Sequence, residues 1–350
     1  MKSALITGVT GQDGAYLSEF LINRGYKVFG TFRRLSTPNF WRLQYLNIED
    51  KITLIPMDLG DEGSILEAIN VSQPDEIYNL AAQSFVGASF DQPLATGEMT
   101  ALATTRMLEA LRVSRLDARF YQASTSELFG NSSQTNKNEN TPFSPRSPYA
   151  AAKLYAFWMS KIYREGYKLY VTNGILFNHE SPLRGLEFVT RKISNAVARI
   201  SLGLQKKLYL GNVNAYRDWG YAKDYVESMW KMLNSDQPGD YVIATGESHS
   251  VLDFVKVAFE HVDLSHEDYL ETKQDLYRPL EVDHLRGDSS KAQLELGWKP
   301  KMNFVDLVKL MVDEDVKRWK MRVEGEIFPW DAPLYPENIN IASTRVTFDR

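Results

Sequence analysis

The chain has 350 residues and a formal net charge of −5, which argues against a general nucleic-acid-binding surface. It contains no cysteine, so disulfides, thiolate metal ligands and a cysteine nucleophile are excluded. Hydrophobic residues make up 43% and aromatics 12%, enough for a packed core, and no run reaches the ~18 apolar residues of a membrane span.

The opening M-K-S-A-L-I-T-G reads as the start of a strand and not as a signal peptide, so the expected place is the cytoplasm. Ser3–Thr7 is an apolar strand, followed at once by G-V-T-G-Q-D-G and an amphipathic run over Ala15–Asn23. Gly8, Gly11 and Gly14 give a G-x-x-G-x-x-G spacing. It combines a tight turn, close backbone approach to a pyrophosphate, and a helix N-terminus aimed at it. Strand, glycines and helix come in the order the motif needs; the bland alternative is an ordinary strand–turn–helix. Tyr26–Thr31 predicts a second strand. A carboxylate about 20 residues past the glycines would bind a free ribose diol. Arg33 and Arg34 stand there instead, and paired guanidiniums suit a 2′-phosphate. The expected cofactor is therefore NADP and not NAD, against the alternative of a solvated basic turn. Leu54–Met57 is a third strand, ending in Asp58 and Leu59, which could hold the adenine edge.

Glu76–Leu80 predicts a fourth strand running into A-A-Q-S, whose small residues admit the nicotinamide end of a dinucleotide. Leu94–Arg112 is helical, and R-F-Y-Q-A (Arg119–Ala123) is an apolar fifth strand. Thr125, Ser126 and Glu127 then fall just past its carboxyl end, where α/β sheets place ligands. Asn131–Asn140 reads as a polar loop. Tyr149 and Lys153 are four apart in an Ala-rich helix and share one face. A hydroxyl, a carboxylate, a phenol and an ammonium in one cleft can move protons on a carbohydrate. A capping turn beside a surface Tyr–Lys pair would explain the same residues.

Leu169–Phe177 is a sixth strand and Tyr241–Thr245 a further strand of the same sheet. The expected fold is α/β: a doubly wound parallel Rossmann sheet with a smaller α/β substrate-binding lobe. Residues 1–177 plus 213–245 form the first, 178–212 plus 246–325 the second, and 326–350 a tail without periodicity. In the lobe, Phe188–Leu204 is a helix, Leu208–Leu210 a short strand, and R-D-W-G-Y-A-K-D-Y-V (Arg217–Val226) opens another helix. Y-R-P-L-E-V-D puts Arg278 and Glu281 together, suited to a diphosphate and a ribose diol; a solvated face is the plain alternative for each basic residue. The five histidines show no ligand spacing, so no metal is expected.

Taken together, T-G-V-T-G-Q-D-G-A-Y-L, R-R, N-L-A-A-Q-S, S-T-S-E-L-F-G, S-P-Y-A-A-A-K-L-Y, G-I-L-F-N-H-E-S-P-L-R-G, F-V-T-R-K-I and R-D-W-G-Y-A-K-D-Y-V resemble the extended short-chain dehydrogenase/reductases. Within them the chain is similar to the GDP-mannose 4,6-dehydratases over most of residues 1–300. The resemblance implies a catalytic set of Thr125, Glu127, Tyr149 and Lys153. It gives Gly8, Val9, Thr10, Gly11, Gln12, Asp13, Arg33, Arg34, Asp58, Leu59, Leu80, Ala81, Ala82, Ser84, Tyr149, Lys153, His179 and Arg184 to NADP. Ser84, Ser126, Glu127, Asn178, Val189, Lys192, Arg217, Arg278 and Glu281 would hold the GDP-sugar. It also implies at least a homodimer through two helices per subunit, with a homotetramer favoured.

Three departures stand out: the loop L-S-T-P-N-F-W after the paired arginines, Phe85 where many members have His, and Ala95 where many have Tyr. The implied reaction converts GDP-D-mannose to GDP-4-keto-6-deoxy-D-mannose. A related GDP-sugar such as a GDP-manno-heptose, a nucleotide-sugar 4-reductase or epimerase, and a non-catalytic NADP-sensing module are the rival readings. Glu127 separates the dehydratase from the epimerase, since only water loss needs that acid.

Overall fold

Seven parallel strands form one sheet in the order β7-β6-β5-β4-β1-β2-β3. These are β1 (Ser3–Thr7), β2 (Lys27–Phe32), β3 (Ile52–Pro56), β4 (Glu76–Asn79), β5 (Arg119–Ala123), β6 (Val171–Leu176) and β7 (Asp240–Ile243). The computed structural model describes residues 1–36, 39–277 and 280–326. β1, β4 and β6 are buried along nearly their whole length, as strands covered on both faces must be, and β4 and β6 bury Glu76, Asn79, Thr172 and Asn173 among their apolar residues. The chain reverses direction across the sheet between β1 and β4. Ligands collect outside the carboxyl ends of the strands at such a switch point.

The glycines do what their spacing predicts. Gly8 has φ +69°, and a Cβ on Gly14 would lie 2.5 Å from the Gly8 carbonyl oxygen. No side chain larger than hydrogen fits, so helix α1 (Gln12–Ile22) starts against the turn. Helix α2 (Glu62–Ser72) crosses back on the other route to β4. The predicted helix over Leu94–Arg112 is one rod of three pieces: Pro93–Thr96, a π-helical stretch Gly97–Leu102, and α3 (Ala103–Ser114). Beside it lies α4 (Pro148–Tyr167). It begins with a Ser147 side chain accepting from Ala150 N and Pro148 at its first position, a strong start signal. Its far end is fixed by a two-bond Arg164–Asp240 pair, 2.9 Å on each side, which ties the helix to β7.

A separate apolar cluster lies beyond the sheet, built by α5 (Val189–Ser201), the Trp219 strand, a helix at Val251–Glu260 and a long one at Phe304–Val323. Here the sequence reading needs two corrections. R-D-W-G-Y does not open a helix: Trp219–Tyr221 is a strand paired in parallel with Asn178–Glu180, and helix α6 runs Ala222–Leu233. The polar loop 131–140 holds a short strand, Asn136–Lys137, paired with Arg286–Gly287. Both depend on distant partner strands that local propensity cannot see. The tail 326–350 lies outside the described residues beyond position 326. No helix among the described residues is long and apolar enough to cross a membrane.

Candidate active site

A cleft of about 620 Å³ opens over the carboxyl ends of β1, β4, β5 and β6. Gly8, Gly11, Gln12, Asp13 and Gly14 line one side; Leu80, Ala82 and Ser84 come from the end of β4. Thr125, Ser126, Glu127, Tyr149 and Lys153 form its buried floor.

The chain past β5 tightens into a single turn at Ser126–Leu128, with the Thr125 hydroxyl accepting from Glu127 N at 3.2 Å. The capping role and the catalytic placement are therefore the same geometry. Burial pushes the Tyr149 phenol up to about 12, although a hydrogen bond with Thr125 pulls the other way. The Glu127 charge also raises it, which puts carboxylate and phenol within electrostatic reach of each other. Lys153 donates to the Ala123 carbonyl at 2.7 Å, and its Nζ is 6.0 Å from the Tyr149 ring centre. Burial lowers its ammonium to about 8. Its hydrogen-bond partner is thus the end of β5.

At the glycine loop, His179 Nε2 meets Asp13 Oδ2 at 2.7 Å and its Nδ1 meets the Phe177 carbonyl at 2.7 Å. Burial alone would raise Asp13, but the His179 imidazole outweighs it and holds the carboxyl below its usual range. Burial would likewise lower His179, and Asp13 raises it above its usual value. Gln12 donates to the His179 carbonyl at 3.1 Å and accepts from the Ser181 hydroxyl at 2.7 Å. The segment 178–181 is thereby fastened to the loop.

The loop fits a dinucleotide pyrophosphate. Gly11 caps α1 without any side-chain hydrogen bond, leaving the first backbone N–H groups facing the cleft. Behind it, a Cβ on Gly8 would come within 3.0 Å of Ala81 Cα, so the backbone is as close as it can be. Arg33 and Arg34 are exposed just past the end of β2, free of the cleft wall and open to a 2′-phosphate.

On the opposite wall Phe85 packs edge-on to Phe188 at 5.6 Å, and the Arg184 guanidinium lies 3.6 Å over the Phe188 ring. Arg184 Nε is 3.1 Å from Glu180 Oε2, an ion-pair distance away from the hydrogen-bond direction. Asn178, Val189, Lys192, Arg217 and Glu281 also line the cleft, and burial lowers the Lys192 ammonium.

The family model described as GDP-mannose 4,6 dehydratase matches residues 5–311. GDP-mannose 4,6 dehydratase 1 of Arabidopsis thaliana is 51% identical over 326 residues, covering 90% of each chain. The Homo sapiens GDP-mannose 4,6 dehydratase is 48% identical over 339 residues, covering 90% of this chain and 91% of that one. The chain belongs to the GDP-mannose 4,6-dehydratase family. Among solved structures, a dTDP-glucose 4,6-dehydratase of Streptomyces venezuelae with NAD bound superposes with a TM-score of 0.80. That match is at 20% identity and covers 91% of this chain and 98% of that one; it shows the shared fold.

Not every residue that the resemblance implied meets in the cleft of this family member. Val9 is fully buried beneath Gly30 and Ala81 sits behind Gly8; both shape the loop from below. The Thr10 carbonyl is taken by Arg42 at 3.0 Å. The Asp58 carboxylate accepts from Gly60 N at 2.8 Å and Leu59 is buried, so this turn holds itself in shape. Glu281 pairs with Arg217 at 3.1 Å, and Arg278, which the sequence reading set beside it for a diphosphate and a ribose diol, lies outside the described residues. Ala95 is exposed and away from the cleft lining.

Two residues went unread. Arg42 donates to the carbonyls of Thr10 and Leu183 and so joins the glycine loop to the segment carrying Arg184. Ser124 lines the cleft with a buried hydroxyl lacking a protein partner. Only its position beside Thr125 could have flagged it. Among the described residues no group of His, Asp or Glu is placed to hold a metal.

Proposed function

We propose that the protein converts GDP-D-mannose to GDP-4-keto-6-deoxy-D-mannose. Its resident cofactor would be NADP. One observation carries the reading: Glu127 shares a buried floor with Thr125 and Tyr149, so a carboxylate for water loss stands beside the phenol for C4 oxidation.

Bound NADP supplies a hydride acceptor at C4, a hydride donor at C6 and a positive ring near the phenol. Tyr149 takes the O4 proton as the C4–H bond breaks. A phenol near 12 gives up its own proton only where positive charge is close, which Arg184 and the dinucleotide ring provide. The Thr125 hydroxyl, already oriented by its turn, binds O4 as charge develops. The new 4-ketone acidifies C5. Glu127 removes the C5 proton and passes it to the C6 hydroxyl, which leaves as water. After exchange with solvent the same carboxyl group returns a proton to C5. Lys153, held on the Ala123 carbonyl, fixes the helix face that presents Tyr149.

Lys192 and Arg217 would take the diphosphate, Glu281 the ribose, and Ser84, Ser126 and Asn178 the sugar hydroxyls. Incubation with GDP-mannose and catalytic NADP should yield the 4-keto-6-deoxy sugar with no net cofactor consumption. Stoichiometric oxidation or reduction of the cofactor, or a product keeping its C6 hydroxyl, would replace this reading with a reductase or epimerase.

The same reading makes the protein a dimer. Tyr155, Trp158 and Ile162 stand exposed at helical spacing on α4, and the Tyr155 hydroxyl is 3.2 Å from Thr105 on the neighbouring rod. A second copy of this face is the occupant we infer; light scattering showing a monomer at micromolar concentration overturns it. The loop L-S-T-P-N-F-W, through which the resemblance implies a tetramer contact, includes residues 37 and 38, outside the described residues. We place the work in the cytoplasm, and cell fractionation tests that.

A further inference from the structure

We infer that Arg42, Asp315 and Arg318 are positioning residues for the dinucleotide: together they set the turn at residues 181–184 against the glycine loop. None of the three lines the cleft. The inference rests on the reading of the glycine loop and Arg184 as cofactor-binding.

Three consecutive carbonyls of the turn accept from guanidiniums brought by three different helices. The Pro182 carbonyl accepts from Arg191 at 2.9 Å and from Arg318 at 2.8 Å. The Leu183 carbonyl accepts from Arg42 at 2.7 Å, and that of Arg184 from Arg191 at 3.0 Å. Arg42 lies on Trp41–Tyr45, Arg191 on α5 and Arg318 on Phe304–Val323. Within the turn, Leu183 N donates to the Ser181 hydroxyl and Arg184 N to the Ser181 carbonyl, each at 3.0 Å. Arg42 Nη1 then reaches the Thr10 carbonyl at 3.0 Å, so one guanidinium holds the turn and the glycine loop at once.

A single carboxylate anchors the set. Asp315 is 1% exposed and accepts from Arg191 Nε and Nη2 and from the Ser194 hydroxyl at 2.6–3.0 Å. It also lies 3.5 Å from Arg318 Nη1. Burial, then the charges of Arg191, Arg184 and Arg318, lower the Arg42 guanidinium to about 10, so four like charges converge on one short turn. Apolar packing would stabilise a turn at a lower desolvation cost. What the guanidiniums supply is direction, since a planar fork fixes a carbonyl in angle as well as distance. Arg184 therefore leaves a rigid turn, its guanidinium 3.6 Å over the Phe188 ring, and the chain of contacts from Asp315 ends at Thr10 in the loop shaped for the pyrophosphate.

The test is calorimetric titration of the full-length protein, cleared of bound nucleotide, with NADPH and separately with GDP. Arg42→Met should weaken NADPH roughly 10- to 100-fold, the weight of outer groups that orient a binding residue, and leave GDP affinity within about twofold. Arg42→Lys, which keeps a donor for one carbonyl, should recover part of that loss. Asp315→Asn should shift NADPH in the same direction, and combined with Arg42→Met it should cost less than the sum, since both act through one turn. Arg42 is half-buried, so its variants decide the matter even if Asp315→Asn fails to fold. Arg164→Met breaks the α4–β7 pair and touches none of these residues; it should lower the urea midpoint and leave NADPH affinity unchanged. Unaltered NADPH affinity in Arg42→Met overturns the inference while leaving the cofactor reading in place. So does a loss shared equally by GDP or by Arg164→Met. A wild-type protein that binds no NADPH overturns both.

Discussion

The two ends of the cleft are built on different physical terms. At the catalytic end Thr125, Glu127, Tyr149 and Lys153 are each at most 9% exposed. Lys153 is fixed to a strand-end carbonyl and Thr125 to its own turn. At the other end of the cleft Asp275 and Tyr277 are exposed and Lys192 is half-buried. Tyr149 and Lys153 at the closed end sit in a low dielectric, where burial shifts their acidities before any substrate arrives. Asp275 and Tyr277 stay hydrated until a ligand displaces water. The lesson is a division of labour: the closed end holds its reacting groups in place, and the open end selects what enters.

The largest effects should come from the closed end. Tyr149→Phe removes the base for O4 and should abolish every partial reaction, including transient reduction of bound NADP followed by absorbance on mixing with substrate. Retained reduction in that variant would move the base elsewhere. Next comes Glu127→Gln, which should still oxidise C4 but lose 10²–10⁴-fold in turnover, the weight of one positioned acid–base group, on the order given for such groups. It should show the reduced cofactor on mixing, form almost no 6-deoxy product and exchange little C5 hydrogen with solvent. Near-normal turnover would leave Glu127 as a structural cap.

At the solvent-exposed arginines the effect is smaller and falls on binding alone. Replacing both Arg33 and Arg34 with Ala should erase a preference for NADP over NAD of ~2–4 kcal/mol, the worth of two charge-assisted bonds. Equal affinity for both dinucleotides in the unaltered protein would remove the assignment.

The smallest effect is on stability. Lys153 falls from 10.5 to about 8 in the folded chain, so below pH 8 folding must bury an ammonium that prefers water. The shift corresponds to about 3 kcal/mol, less about 1 kcal/mol for the Ala123 carbonyl that loses its donor. Lys153→Met should therefore gain about 2 kcal/mol at pH 7 by that linkage while losing activity. Between pH 8 and 10.5 the unfolded wild-type chain holds more protons than the folded one. Wild-type stability then rises relative to the variant, and the gap closes. Denaturant titrations at pH 7 and pH 10 measure both ends; a gap that widens with pH would contradict the burial argument.

The contrast between the ends also explains what the sequence disclosed. The strand–glycine–helix start, the S-T-S-E turn and the Tyr–Lys helix are local patterns: each is complete within a few residues, and each was legible. The Trp219–Tyr221 strand was not, because it exists only through pairing with Asn178–Glu180. Nor was the pairing of Arg191, which is buried and bound to both carboxylate oxygens of Asp315, 124 positions away. The bond between Glu281 and Arg217, 64 positions apart, was equally invisible to local pattern. A basic residue on an amphipathic helix looks the same in sequence whether its partner is solvent or a distant carboxylate.

The clasp between Asp13 and His179 has a consequence for the order in which the protein becomes itself during synthesis. The glycine turn leaves the ribosome well ahead of its partner, and its fastening to His179 waits for another 166 positions. At ~5–20 residues per second that delay is roughly 8–30 s. Through that interval β1, α1 and β2 can pair and pack, but Gln12 and Asp13 have neither Ser181 nor His179 to hold them. The nascent chain therefore carries an unfinished cradle through that interval, and dinucleotide capture waits for the segment around His179 to emerge.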